Sequence, residues 1–332
     1  MQANPLRLVG TFLLVVVVIV GAAAAVPLVT SQQTPAPTQL DNPQFQPGNT
    51  LIDEAPQDGS IEMEADAEPK TIVVDAGHGA APSAKSIDPL VSTLVANGHT
   101  VEFFDPQADR RATLNDSLRE ADAFLTIAPT QRYSDAELSG IAAFTDAGGR
   151  LVVLSDPASS GGLSSLLGGL LGLPTASSGP STTHLSSQYE MAFQAGYLYE
   201  TDSERNYAAV SAAGANGSLG DGVENAVLRD AAPVVVGGDA TVALASADGT
   251  TRSTTRRDGS YAVAAQQGNV AVIGDSDFLA PDDAYRGDNE VLIGNLADFL
   301  VSGEKSPEDA PTKPTPSGPR GPAGPSTPPA GG

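Results

Sequence analysis

TIVVDAGHG, residues Thr71 to Gly79, is the stretch on which the fold turns. A short apolar, β-branched run breaks at Asp75 into Ala76-Gly77-His78-Gly79. Such a run bounded by turn residues reads as a strand buried on both faces. Helical spacing follows, with Leu90, Val91, Leu94 and Val95 between Asp88 and Asn97 before Gly98 ends the periodicity. The alternation then repeats: a strand over His99–Phe104, a short helix over Leu114–Ala121, a strand over Ala123–Ala128, a helix over Ser134–Asp146 stopped by Gly148-Gly149, and a strand over Arg150–Leu154. Four strands interleaved with helices require crossover connections. The expectation is an α/β fold whose doubly wound, mainly parallel sheet is covered on both faces.

The second half reads differently. Gly161–Leu173 is rich in Leu and Gly and too short to span a bilayer, so it suits a packing helix or a lid. Ala232–Val236, Thr241–Ser246, Thr250–Ser253 and Tyr261–Ala265 read as short strands, with Asp248-Gly249 and Asp258-Gly259 as turns, which predicts an inserted β-meander. Val270–Ile273 is a further buried strand, leading into Gly274-Asp275-Ser276-Asp277-Phe278. A last helix over Asn289–Val301 carries Leu292, Leu296, Phe299 and Leu300 on its inner face.

Outside this domain, Leu8–Val29 is an uncharged run of Val, Leu and Ala long enough to cross a hydrocarbon core of about 30 Å as a helix. Arg7 precedes it and no base follows until Lys70, which puts the short N-terminus inside and the rest outside. Residues 1–30 therefore read as a membrane anchor, with a cleaved signal peptide as the rival because Ala22–Val26 offers small residues. Residues 31–69 are acidic and Pro-rich and read as an extended stalk, and the Pro-rich residues 303–332 as a disordered tail. The expected domain is 70–302, on a single-pass chain with its main domain extracytoplasmic. Membrane contact falls to residues 8–29.

The 332-residue chain carries 17 basic and 40 acidic side chains, a net charge of −23, so it lacks the cationic footprint that nucleic acid requires. Aspartate outnumbers glutamate and lysine is scarce, a bias similar to that of haloarchaeal proteins, whose acidic surfaces stay soluble where salt screens self-repulsion. Cysteine is absent, which removes thiolate metal sites, disulfides and a cysteine nucleophile.

Loops at the carboxyl ends of a doubly wound sheet converge on a crevice. Here those ends carry Asp75 with His78, Asp105, Asp156, and Asp275 with Asp277, and Asp288 and Asn289 precede the last helix. Oxygen donors and one imidazole could hold a hard cation or a polar ligand, with His78 and Asp275 as the metal candidates. Aspartates at such positions equally cap backbone N–H groups. No complete triad, phosphate loop or nucleophile elbow is legible, so no catalytic residue is assigned and no cofactor is implied. Asn115-Asp116-Ser117 and Asn216-Gly217-Ser218 fit the glycosylation pattern.

TIVVDAGHG also resembles the first zinc-ligand motif of the zinc-dependent N-acetylmuramoyl-L-alanine amidases, which would make His78 a ligand. No glutamate lies between His78 and Asp88, and the later strand ends Thr126-Ile127-Ala128-Pro129 without histidine. Gly274-Asp275-Ser276 is similar to the nucleophile block of GDS-type esterases, but no histidine follows His184. The combination of Asp75-Ala-Gly-His78-Gly79, Tyr133–Gly149 leading into Arg150–Leu154, Gly196-Tyr197-Leu198-Tyr199, Asp230-Ala231-Ala232-Pro233, Gly274–Phe278, Asp288-Asn289 and Asn295-Leu296 resembles the domain of unknown function 4350 family. That resemblance implies a fold like the class I glutamine amidotransferases on a membrane-tethered prokaryotic protein, similar to extracytoplasmic subunits of gliding and transport systems. It does not imply amidotransferase chemistry, whose nucleophile is a cysteine. The resulting expectation is a non-catalytic binding or assembly module, accessory to a transport or envelope system, with a protein partner in a membrane complex. The alternative is a metal-dependent envelope hydrolase working through His78.

Overall fold

The computed structural model describes residues 59–79, 82–157, 181–201 and 209–313. The expected anchor 8–29, the Leu/Gly stretch 161–173, the stalk to residue 58 and the tail from 314 lie outside the described residues. Among the described residues no helix is long and apolar enough to cross a membrane.

The first part of the chain alternates as the periodicity requires: β1 (Thr71–Asp75), α1 (Asp88–Ala96), β2 (Thr100–Phe104), α2 (Leu114–Glu120), β3 (Ala123–Ile127), α3 (Asp135–Asp146) and β4 (Arg150–Leu154). After α4 (Ser181–Ser186) come β5 (Met191–Phe193), β6 (Leu198–Tyr199), β7 (Ala209–Gly214), β8 (Ala226–Arg229), β9 (Val234–Val236) and β10 (Thr241–Ser246). Then follow β11 (Thr250–Arg252), β12 (Asp258–Gly259), β13 (Ala262–Gln267), β14 (Val270–Ile273) and α5 (Asn289–Val301).

One nine-stranded sheet organises the fold, in the order β2-β1-β3-β4-β14-β13-β10-β7-β8. Because strand side chains alternate between faces, Ile72, Val74, Leu125, Val152 and Leu154 join Leu90 and Leu94 of α1 and Leu292, Leu296 and Leu300 of α5 in one core. Val73, Phe124, Leu151 and Val153 face the other way, against Leu114 and Leu118 of α2 and Leu138, Ile141 and Phe144 of α3. Each fully buried side chain of this size contributes about 1.5–3 kcal/mol. The near-continuous hydrophobicity of these strands is thus the consequence of having a core on both sides.

The fold is mixed α/β, and the strands of the first half are parallel as expected: β2, β1, β3, β4 and β14 make four parallel pairings, and β14, β13, β10, β7 and β8 continue the sheet through four antiparallel ones. The expected meander is met in part, by antiparallel strands. β10 and β13 pair with each other inside the main sheet, while β11 and β12 leave it to form a small sheet with β6. Asp258-Gly259, read as a turn, is a short strand paired with Thr250 and Thr251.

The domain also extends past both expected boundaries. In the acidic stretch 59–69, Ile61, Met63, Ala65 and Ala67 alternate with acids and pack on the first core, and the Glu64 and Ala65 amides donate to the Asp298 carboxylate on α5. Charge density concealed a period-2 pattern there. At the other end, the Lys305 ammonium is buried and donates to the Arg119 and Ser306 carbonyls at 2.8 and 3.2 Å, and the Arg119 guanidinium donates to the Pro311 carbonyl at 3.2 Å. Residues 303–313 are therefore a strap across α2 rather than the start of the tail.

Gly294 on α5 makes the N-terminal docking possible, since a β-carbon there would lie 2.3 Å from the Glu62 carbonyl oxygen. Gly294→Ala is expected to cost about 1–3 kcal/mol through overpacking and to expose residues 59–69. Limited proteolysis and denaturant unfolding of the variant check this, and unchanged protection of the segment would contradict it.

Candidate functional site

From β1 the chain passes to β2 on one side and then to β3 on the other, so the carboxyl ends of β1 and β3 flank the point where strand order reverses. A crevice forms at such a point because the two following loops diverge. Here the loops are tied together before they part. The Thr130 and Gln131 amides both donate to the His78 carbonyl at 2.9 Å, and Gly79 bridges to Pro129. Gly79 has φ of +122°, and a β-carbon on it would fall 1.8 Å from Thr130 Oγ1, so only glycine fits. Ala128 sits at φ +41° where the β3 loop turns, a conformation that costs an alanine on the order of 1 kcal/mol or more.

At the centre is the buried Asp75 carboxylate. Its Oδ1 accepts the Gly77 amide at 2.9 Å, and the His78 Nδ1 lies 3.0 Å from both of its oxygens. The Tyr133 hydroxyl donates to Oδ2 and lies 2.7 Å from Thr126 Oγ1, itself 3.4 Å from Oδ2. These donors use nearly all the lone-pair capacity of a carboxylate. The Tyr133 ring tilts over the imidazole with centroids 4.1 Å apart, and Phe104 flanks it at 6.4 Å.

The other ring nitrogen, Nε2, meets a second carboxylate, Glu137 Oε1, at 3.4 Å. Glu137 is aimed by a capping box at the start of α3: its Oε2 accepts from the Ser134 amide and hydroxyl at 2.8 and 2.7 Å, and Ser134 Oγ accepts the Glu137 amide. A carboxylate beside each nitrogen favours the imidazolium. Burial pushes its pKa down, but the hydrogen bond and charge of Asp75, joined by Glu137, prevail and raise it above the usual 6.5. Burial and the Asp75 charge push the Tyr133 hydroxyl well above its ordinary value, so it stays a proton donor.

His78 and Glu137 open onto a cleft of about 660 Å³ whose walls include Phe104, Asn115, Arg119 and Arg132. The sequence gives no direct sign of Tyr133 and Glu137, because they reach His78 from the loop and helix that follow β3. The pattern Ser134-x-x-Glu137 was the available signal, since it fixes where α3 begins and hence which edge Glu137 occupies.

The other sequence candidates lie elsewhere. Asp156 follows β4 and accepts the Ser276 amide and hydroxyl at 2.8 and 2.9 Å, which ties β4 to the loop after β14 and engages the only hydroxyl of the esterase-like block. Asp275 is fully buried and accepts the Arg229 and Asp277 amides at 3.0 Å; burial, then the charges of Asp156 and Asp277, hold its pKa well above the carboxylate range. Asp156 is raised as well, by burial. None of these three aspartates lines the cleft at His78. Asp105 caps its own turn through the Gln107 amide. Asp288 accepts the Glu224 and Asn225 amides, and Asn289 exchanges hydrogen bonds with the Val227 backbone, so both fasten α5 to β8. The histidines do not converge: His99 accepts the Lys70 amide at the opposite edge of the sheet, and His184 lies on α4. Among the described residues no group of three or more His, Asp or Glu side chains is placed to hold a metal ion.

No protein-family profile matches the sequence, and no curated protein does. Solved structures do. The chain is similar to the mmIFT52 N-terminal domain, at 14% identity and a TM-score of 0.53, over 70% of this chain and 98% of that one. It also aligns with the cytoplasmic protein STM1381 from Salmonella typhimurium LT2, at 11% identity and a TM-score of 0.45 over 70% of this chain and 99% of that one. A putative ThuA-like protein from Parabacteroides merdae aligns at 10% identity and a TM-score of 0.43, over 71% of this chain and 91% of that one. The likeness to the mmIFT52 domain is one of fold alone.

The raised pKa of His78 has a stability consequence of definite sign. The contribution of the ion pairs is fully present below the unfolded value of about 6.5 and is lost as pH rises through the higher folded value. The stability difference between wild type and His78→Gln should therefore shrink as pH rises above neutrality. Glu137→Gln, which removes one half-exposed partner, should cost about 0.5–1 kcal/mol and lower the His78 midpoint. Denaturant unfolding across pH 5 to 9 measures both, and a difference that grows with pH would contradict the assignment.

Proposed function

We propose that this chain is a membrane-tethered, extracytoplasmic, non-catalytic binding or assembly module of the domain of unknown function 4350 family, with a class I glutamine amidotransferase-like fold. One observation carries the non-catalytic part. The imidazole best placed for chemistry has a carboxylate on each ring nitrogen, Asp75 on Nδ1 and Glu137 on Nε2. An imidazolium held in this way has no lone pair with which to accept a proton or bind a metal. It is a fixed cation that rigidifies the wall of a cleft. The chain also has no cysteine, the nucleophile of the enzymes whose fold it is read to share. The cleft then serves recognition, with Asn115, Arg132 and Glu137 offering polar contacts beside Phe104.

The tether rests on the uncharged run Leu8–Val29, and the haloarchaeal-like charge on an acidic surface suited to concentrated salt. Membrane fractionation of cells expressing the full chain should recover it in the pellet and release it only with detergent, and deletion of 8–29 should free it. Recovery of the intact chain in the cytosol would end the tether.

For the cleft, nitrogen NMR of the detergent-solubilised full chain should show both His78 ring nitrogens protonated at pH 7, with a titration midpoint above that of free imidazole. Added zinc should leave the ring unchanged. Stoichiometric zinc at His78, together with hydrolysis of envelope peptides or sugars that is lost in His78→Gln, would replace this reading with the hydrolase.

A further inference from the structure

The nine-stranded sheet has two edges, β2 and β8, and they are finished differently. On β8, side chains take up the outward backbone groups. Asn289 accepts the Val227 amide and donates to its carbonyl, and Asp275 accepts the Arg229 amide. Just before the strand, Asp288 accepts the Glu224 and Asn225 amides.

Among the described residues the β2 edge has no such cover. Thr100 donates to the Lys70 carbonyl and the Phe104 carbonyl accepts the Ala76 amide, so the parallel ladder uses Thr100, Glu102 and Phe104 and turns Val101 and Phe103 outward. No hydrogen bond to the outward groups of Val101 or Phe103 is found among the described residues. Large apolar side chains left exposed among the described residues are Val95 at 55%, Phe103 at 36% and Val235 at 44%. Val95 is on α1, which covers the sheet face shared by Val101 and Phe103, so two of the three belong to this margin.

Charge points the same way. Between Asp88 and Glu102 the only titratable side chain is His99, which burial and the Lys70 charge keep toward its neutral form. On a chain with a net charge of −23, the approach to the open edge is thus free of formal charge up to Val101, and Glu102 is the one charged side chain on the strand. Exposed edges are ordinarily protected by lysine, proline or a bulge, and β2, with sequence TVEFF, has none of these. An open, partly apolar edge with a single carboxylate is a template for strand addition.

We propose that the β2 edge accepts an extended segment of a protein partner as an added strand, with a Lys or Arg opposite Glu102 and apolar side chains on the Phe103 face. A second copy of the chain fits less well. The twofold antiparallel pairing that engages both Val101 and Phe103 sets the two Glu102 carboxylates face to face, and directly opposed like charges destabilise a sheet. The proposal goes beyond the reading of the cleft and does not rest on it, because His78 takes no part.

The test uses the full chain and two blocked decapeptides at millimolar concentration, one alternating valine with arginine and one alternating valine with glutamate. Hydrogen exchange at the Val101 and Phe103 amides should slow about tenfold with the arginine peptide and not with the glutamate peptide. Glu102→Lys should reverse that preference. Phe103→Lys, at an exposed position, and Val101→Pro, which removes an outward amide the ladder does not use, should each abolish the protection. Protection by neither peptide, or by both equally, would overturn the proposal. So would protection that rises with the concentration of the chain alone, which would make the occupant a second copy. The ring spectrum of His78 reports on the cleft separately, so either idea can fail without the other.

Discussion

The Asp75 carboxylate is the constraint around which the site is assembled. It lies at the end of a strand buried on both faces, where an unpaired charge would be costly. The structure meets that cost with donors from different elements: the Gly77 amide and His78 from its own loop, Thr126 from β3 and Tyr133 from the loop beyond. These loops are consequently fixed relative to one another. The His78 carbonyl, receiving the Thr130 and Gln131 amides, adds the backbone half of the same lock. Loosening any one donor would leave buried polar groups short of partners, a penalty of about 1–3 kcal/mol each.

An Asp–His pair at a sheet's carboxyl edge can serve structure or chemistry, and its surroundings decide which. An Asp–His pair works as a general base when the distal ring nitrogen faces a substrate or a nucleophile. Here it faces Glu137, itself held by Ser134. The second carboxylate makes His78 the middle of an ion-pair chain that spans β1 and α3. The same helix start carries Ala136 and Glu137 into the wall of the cleft. The residues that make the site rigid therefore also line the cleft.

The acidic group at the ends of β4 and β14 follows a different logic. Asp275 spends its oxygens on backbone amides, and its raised pKa records how poorly the site tolerates the charge beside Asp156. Acids raised in this way weaken the fold when ionised, so their cost is relieved as pH falls through their folded values toward about 4. This group and the His78 ion pairs consequently both make the domain less stable as pH rises. The margins of the sheet complete the picture: one edge is sealed by Asn289, Asp288 and Asp275, and among the described residues nothing bonds the outward groups of Val101 and Phe103 on the other.

The sequence alone determined the repeating strand–helix order from Thr71 to Leu154, because a strand with a core on both faces must be apolar throughout and its covering helices apolar on one stripe. It also placed Asp75 and His78 at a strand end. It concealed the docked segment 59–69, where acids alternate with the packing residues, and the strap 303–313, whose anchors Lys305 and Arg119 are charged and give no hydrophobic signal. Only the tertiary structure decided which residues meet. Tyr133 and Glu137 reach His78 across the reversal of strand order, and β10 and β13 join the main sheet while β11 and β12 leave it. Periodicity reports which face of an element is buried, whereas the partner across that face is set by pairing between distant parts of the chain.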